Sequence, residues 1–180
     1  MSAQNVLDSI YDKIHVQNYG RKGKIDGVKI VDIKQFSGED GMFEEVVRID
    51  NGGVIAQFDN FAIAQINRSQ ILPGAVKAWH IHFEQEDIWY VEPSARVLLG
   101  LWDVRKESAS SNTYDKIPLG FNSAKLVLIP RGVAHGVVNI GSKEATLLYF
   151  VNKQFSAENP DEHRLAWDSL GADFWKPEKG

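Results

Sequence analysis

Gly74-Ala75-Val76-Lys77-Ala78-Trp79-His80-Ile81-His82-Phe83-Glu84-Gln85-Glu86 and, further on, Pro130-Arg131-Gly132-Val133-Ala134-His135-Gly136-Val137-Val138-Asn139 are the stretches that decide the fold. Side chains alternate faces along an extended strand, so His80, His82 and Glu86 share one parity and can all point the same way. If His135 meets them from another strand, three imidazoles and one carboxylate converge. Such nitrogen and oxygen donors suit Zn, Fe, Mn, Ni or Cu, and a position left open to water makes the centre catalytic rather than structural. The bland reading of the same residues is a hydrogen-bonded polar cavity, because a lone strand histidine usually serves a structural hydrogen bond.

Composition narrows the setting. A chain of 180 residues with 43% hydrophobic content buries a substantial core, and its length fits one domain, with residues 1–27 as a helix and connector, 28–155 as a barrel and 156–180 as a tail. Twenty Lys plus Arg against 24 Asp plus Glu leave a net charge of −4, dispersed along the chain. Nucleic acid is therefore not the expected partner, since its affinity rests on a concentrated basic surface. With zero Cys there is neither a disulfide nor a thiolate metal site. No apolar run approaches the roughly 20 residues that cross a bilayer, and residues 1–14 lack the cationic start and apolar block of a secretory leader. No membrane partner and a cytoplasmic setting are the expectation.

Val6, Leu7, Ile10, Tyr11 and Ile14 recur at three- and four-residue intervals, the stripe of a short amphipathic helix that packs on the body or on a second subunit. After a Lys- and Gly-rich connector over 20–27, β-rich runs follow at 28–33, 43–49, 54–58, 61–66, 88–91, 97–104, 126–129, 133–139 and 146–151. Short runs at this spacing indicate a sandwich or barrel. Asn51-Gly52-Gly53 and Ile140-Gly141-Ser142 read as hairpin turns, and 106–118 as the longest surface loop. Beyond Phe155 the character changes, and Asn159-Pro160-Asp161-Glu162-His163 reads as the start of a helical turn. Gln65, Asn67 and Ser69 alternate, so they line either one cavity wall or a solvated sheet face.

The two opening stretches resemble the paired motifs of the cupin superfamily, ligand for ligand, with Pro93 and Ala124 standing at two positions where cupins usually have Gly. Other segments resemble one branch of it, the dTDP-4-dehydrorhamnose 3,5-epimerase family. They are FSGEDGMFEE from Phe36 to Glu45, Gln65-Ile66-Asn67-Arg68-Ser69, Val76 to His80, Asp103-Val104-Arg105, Ile129 to Gly136, Leu148-Tyr149, and SAENPDEHRLAWDSLGADFW from Ser156 to Trp175. The resemblance implies an all-β double-stranded β-helix, a jelly-roll barrel, and a homodimer sharing an N-terminal strand.

The resemblance also implies an epimerase that removes a proton α to the ketone of a keto sugar or sugar nucleotide. His80 would be the base, Asp168 its partner and Tyr149 the acid, with Gln65, Asn67, Lys77 and Phe155 against the substrate and no metal required. Departures fall on the cation contacts: Asp87 stands for the family's enolate-stabilising Lys, Asp40 for an Arg of the opening motif, and Lys77 for the Arg before the base. An anionic Asp opposes the developing enolate charge. His82 and Glu86 complete the cupin ligand set, so a divalent ion held by His80, His82, Glu86 and His135 could take over the electrophile's task. Two other readings stand beside the epimerase: a metal-dependent dioxygenase or sugar isomerase, in which His80 is a ligand and not a free base, and a non-catalytic sugar-binding barrel.

Overall fold

The computed structural model describes residues 7–11, 13, 14 and 25–178. Twelve strands are described: β1 (Lys29–Ile33), β2 (Gln35–Gly38), β3 (Gly41–Glu44), β4 (Gln65–Ile71), β5 (Val76–Ile81), β6 (Asp87–Val91), β7 (Arg96–Asp103), β8 (Tyr114–Gly120), β9 (Ala124–Ile129), β10 (Val133–Asn139), β11 (Ala145–Val151) and β12 (His163–Arg164). Two five-stranded antiparallel sheets, in the orders β1-β9-β6-β11-β4 and β12-β5-β10-β7-β8, make a jelly roll, and β2 with β3 forms a separate hairpin.

The central strands β6, β7, β9 and β10 are covered on both faces, which explains why they read as nearly unbroken apolar runs. Between them, Trp89, Val91, Leu99, Leu101, Val127 and Val137 form the inner core. Outside the first sheet, Ile55, Phe58 and Phe61 seal Ile88, Tyr90, Leu126 and Phe150. Outside the second, Trp175 and Phe174 of a C-terminal 3-10 turn (Ala172–Trp175) cover Trp79, Ile81 and Leu98. A Cβ on Gly100 would lie 2.7 Å from the Trp175 ring, so the tail seats directly on bare β7 backbone.

Several expectations need correction. Of the runs at 54–58 and 61–66 only Gln65 and Ile66 lie in a strand, the start of β4: the rest forms only the isolated bridges Ile49–Ile55 and Val54–Ala62, because these apolar residues serve as a lid on the first sheet. The supposed loop over 106–118 contains most of β8, which pairs with β7 from Arg96–Gly120 to Trp102–Tyr114. Ile140-Gly141-Ser142 is no hairpin turn, since β10 and β11 belong to different sheets. Asn51-Gly52-Gly53 is a tight turn, with Asp50 Oδ1 accepting from the amides of Gly52 at 2.8 Å and Val54 at 3.0 Å. Of the N-terminal helix, Asp8–Tyr11 is described, with Leu7, Ile10, Tyr11 and Ile14 exposed. Val6 and residues 20–24 of the connector lie outside the described residues.

One buried carboxylate ties the segment just before β1 to the second sheet. Asp103, at the end of β7 and fully buried, accepts from Arg105 Nε at 2.8 Å and Nη2 at 2.9 Å, and from the hydroxyls of Ser108 at 2.5 Å and Ser110 at 2.6 Å. The Ser110 hydroxyl in turn accepts from the Asp26 amide at 2.8 Å. Burial alone would raise the Asp103 pKa, but the donors from Arg105, Ser108 and Ser110 together hold it well below the usual carboxylate range. Such a carboxylate stabilises the fold above its ordinary pKa, and that stability fades as pH falls through the lower folded value. Asp103→Asn is therefore expected to cost roughly 3 kcal/mol near neutrality, the scale of breaking a buried pair. Urea unfolding should show the gap to wild type closing only in strong acid.

Candidate functional site

The cavity lies between the two sheets, at the end where the tail returns. It encloses about 210 Å³, less than the roughly 300–1,000 Å³ of most small-molecule sites. One small ring fits inside, and the rest of a larger ligand must cross the rim at Lys77, Lys153 and Phe155. The first sheet contributes Gln65, Asn67, Ser69, Asp87, Trp89 and Tyr149, and the second Lys77, His80 and His135, with His82 just past the end of β5.

A slip of register on β5 arranges the second sheet's wall. His135 of β10 pairs with His80, but Val137 pairs with Lys77, one residue off the regular ladder. Such a bulge reverses the side-chain phase. Lys77, His80 and His82 thus all face the cavity, while Trp79 and Ile81 pack outward beneath the tail. Gly136 permits it: a Cβ there would come within 2.3 Å of Ala78 Cβ and 2.9 Å of the Lys77 carbonyl oxygen.

Parity carries as far as His82 and no farther. Residues 83–86 cross from the second sheet to the first, so the period of two is lost before Glu86. Glu86 turns to Asn152, which donates Nδ2 to Oε2 at 3.0 Å while its Oδ1 accepts the Glu86 amide at 2.8 Å. Asp87, the first residue of β6, points inward instead. His82, Asp87 and His135 offer ligand atoms all within 4.8 Å of one another. Of the four expected ligands the structure gathers only His82 and His135 here, together with Asp87.

His80 belongs to a different pair. Glu162 Oε1 lies 3.3 Å from its Nδ1, and Arg164 donates Nε to the same oxygen at 2.9 Å. Burial foremost, then the Arg164 charge, lowers the His80 pKa, with Glu162 pulling the other way. Burial raises that of Glu162, but the Arg164 hydrogen bond and His80 bring it below its ordinary value. A neutral imidazole with a carboxylate at Nδ1 leaves Nε2 free to accept a proton. Asp168, expected as the partner, sits in an exposed turn where its carbonyl accepts from Gly171, and it is not a cavity residue.

The tail that supplies Glu162 is a strand and not a helix. His163 and Arg164 pair with Ile81 and His80. Asp161 anchors it: its carboxylate accepts the amides of Phe83 at 3.0 Å and of Glu84 and Gln85 at 2.8 Å, and its carbonyl accepts His82 Nδ1 at 2.6 Å. Glu162 and Asp161 escaped sequence reasoning, although both lie inside the quoted tail segment, and Asp87, singled out only as standing for the family's Lys, was not expected beside His82 and His135.

The other expected residues reach the cavity. Tyr149 stands on β11 between Asn67 and Trp89, and burial foremost, with Asp87 and Glu162 nearby, raises its pKa. Gln65 donates to Asn67 Oδ1 at 2.7 Å and accepts the Phe155 amide at 3.0 Å, so the alternating residues of β4 form a cavity wall. Lys77 donates to Ser69 Oγ at 2.8 Å. Phe155 is 64% exposed at the rim.

A family model described as dTDP-4-dehydrorhamnose 3,5-epimerase matches residues 22–177. The chain belongs to that family. It is 34% identical over 155 residues to the spore coat polysaccharide biosynthesis protein SpsL of Bacillus subtilis, covering 86% of this chain and 98% of that one. It is 28% identical over 146 residues to the probable low-salt glycan biosynthesis epimerase Agl13 of Haloferax volcanii, covering 80% and 89%. Among solved structures, a dTDP-4-dehydrorhamnose 3,5-epimerase of Sulfolobus tokodaii matches with a TM-score of 0.66 at 26% identity, over 84% of this chain and 81% of that one. The 3,5-epimerase family thus frames the cavity.

Close approach of β5 to β10 is the testable part of this geometry. Gly136→Ala should destabilise the protein by about 3 kcal/mol, the upper end for overpacking, because the Cβ meets backbone that cannot rotate away. Chemical denaturation measures the loss, and a crystal structure of the variant should show His80 drawn away from His135.

Proposed function

We propose that the protein is a sugar epimerase that inverts a carbon next to the ketone of a 4-keto sugar carried on a nucleotide. His80 Nε2 takes the proton from the carbon, and the C–H electron pair moves into the enolate. Tyr149 returns a proton to the opposite face, so the product is an isomer of the substrate. The observation that carries this reading is the placement of His80, backed by Glu162, and of Tyr149 on opposing sheets around one cavity. Family membership and the two polysaccharide-biosynthesis relatives support it.

Gln65 and Asn67 present amides to the sugar, and Phe155 gives the open rim an apolar face for a base or ring. Lys77 forms no ion pair among the described residues, whereas Lys153 is paired with Glu84. Its ammonium is the free cation for a phosphate at the rim. The dioxygenase and non-catalytic readings have no comparable support. We also propose that the working form is a homodimer, formed on the exposed apolar hairpin of Phe36, Met42 and Phe43. Sedimentation should give twice the chain mass, and Phe43→Asp should return the monomer.

Solvent-deuterium exchange tests the reaction. In D₂O, dTDP-4-keto-6-deoxyglucose should take up deuterium next to the ketone, and His80→Ala should abolish uptake. Tyr149→Phe should keep exchange, because the base can return a deuteron to the face it came from, while losing net inversion. Glu162→Gln is expected to lower kcat about 10²-fold, the scale of a general-base contribution, with KM little changed. Exchange unaffected by His80→Ala would overturn the assignment.

A further inference from the structure

We propose that His82, Asp87 and His135 form a binding site for one divalent transition-metal ion, in the same cavity as His80 but using neither His80 nor Glu86. The inference stands whether or not the chain is an epimerase. All three side chains are at least nine-tenths buried, His82 at 9% exposure and Asp87 and His135 at 3% each. Their ligand atoms lie within 4.8 Å of one another.

Protonation follows from the partners. A carbonyl oxygen can only accept, so His82 Nδ1, 2.6 Å from the Asp161 carbonyl, carries a hydrogen, as does His135 Nδ1, 3.0 Å from the Val133 carbonyl. The Nε2 of each neutral ring is left as a bare lone pair. An ionised Asp87 is likewise an acceptor only. Its oxygens are held from behind, Oδ1 by Gln85 Nε2 at 2.7 Å and Oδ2 by Trp89 Nε1 at 3.0 Å. His135 Nε2 and Asp87 Oδ2 stand 3.8 Å apart, too far for a hydrogen bond.

Three acceptors thus face one another with no donor among them, a costly arrangement in a buried place unless a cation joins them. Rings donating Nδ1 to backbone carbonyls and a carboxylate oriented by its own donors are what keeps a metal's ligands in place. Two imidazoles and one carboxylate, with no thiolate, select Fe, Mn, Co, Ni or Zn over Mg or Ca. All three line the cavity, so the remaining positions are open to water or to a ligand oxygen. An ion there would put positive charge on the wall that Asp87 otherwise makes negative.

The test uses the full-length, tag-free protein, stripped with chelator and titrated with Co²⁺ and Zn²⁺ alone by calorimetry and by the visible spectrum of Co²⁺. One ion per chain should bind, with a rise in Tm. Asp87→Asn and His82→Gln should each weaken binding about tenfold or more, while Glu86→Gln and His80→Gln leave it within about twofold; these scales follow metal-shell variants in general. Circular dichroism of each metal-free variant confirms its fold, and if one variant fails to fold the other decides. Absence of saturable binding would overturn the site, as would loss on Glu86→Gln with retention in Asp87→Asn.

Discussion

The contact between bare Gly136 backbone and Ala78 governs the site. Because β10 presents no Cβ there, β5 approaches closely and accommodates one extra residue between the pairs His135–His80 and Val137–Lys77. That single slip turns Lys77 inward to join His80 and His82, while Trp79, alternating with His80, packs outward in the aromatic cluster with Trp102, Phe174 and Trp175. A regular ladder would place residue 78 opposite residue 137 and send Lys77 outward. Strand phase therefore couples the cavity wall to the tail's hydrophobic seat, and neither can change alone.

The tail completes what the strand begins. Trp175 and Phe174 bury apolar area against the second sheet, and Asp161 caps three amides where the chain leaves β5. An isolated bend at 83–85 would expose those amides to water. With Asp161 in place it is ordered, and the adjacent Glu162 is delivered to His80 without a helix to carry it. One acidic pair thus performs two tasks, Asp161 holding the turn and the His82 ring, and Glu162 holding the His80 ring.

Much of the barrel was legible because covered strands are apolar at nearly every position, as at 88–91 and 126–129 and, Asp103, His135 and Asn139 apart, at 97–104 and 133–139. Failures had two physical sources. Apolar density alone does not separate a strand from a lid, so Ile55, Phe58 and Phe61 read as ladder residues although they pack over a sheet face. Polar turns hide strands, so Tyr114 and Lys116 of β8 read as loop. In the site, period-two reasoning placed His80 and His82 correctly because they are two apart near one strand end. It misplaced Glu86 because a crossing between sheets intervenes, and no local pattern reports such a crossing. The carboxylate beside His80 comes from the far end of the chain, and strand pairing rather than spacing brings it there.

Separating His80 from the buried cluster removes a conflict that the sequence alone presents. If His80 had to bind an ion, its lone pair could not also take a proton. In the structure the His80 ring is engaged through Nδ1 by Glu162, while the rings of His82 and His135 are engaged through Nδ1 by backbone carbonyls. A carboxylate beside an imidazole favours its protonated form and so strengthens a base. A neutral carbonyl fixes the tautomer without adding charge, which suits a ring whose other nitrogen is to remain an acceptor. Three histidines on one wall are thereby divided into two kinds by the atoms behind them, and Asp87, facing the second kind, supplies the negative charge that makes a cation rather than a proton carrier the natural complement of that corner.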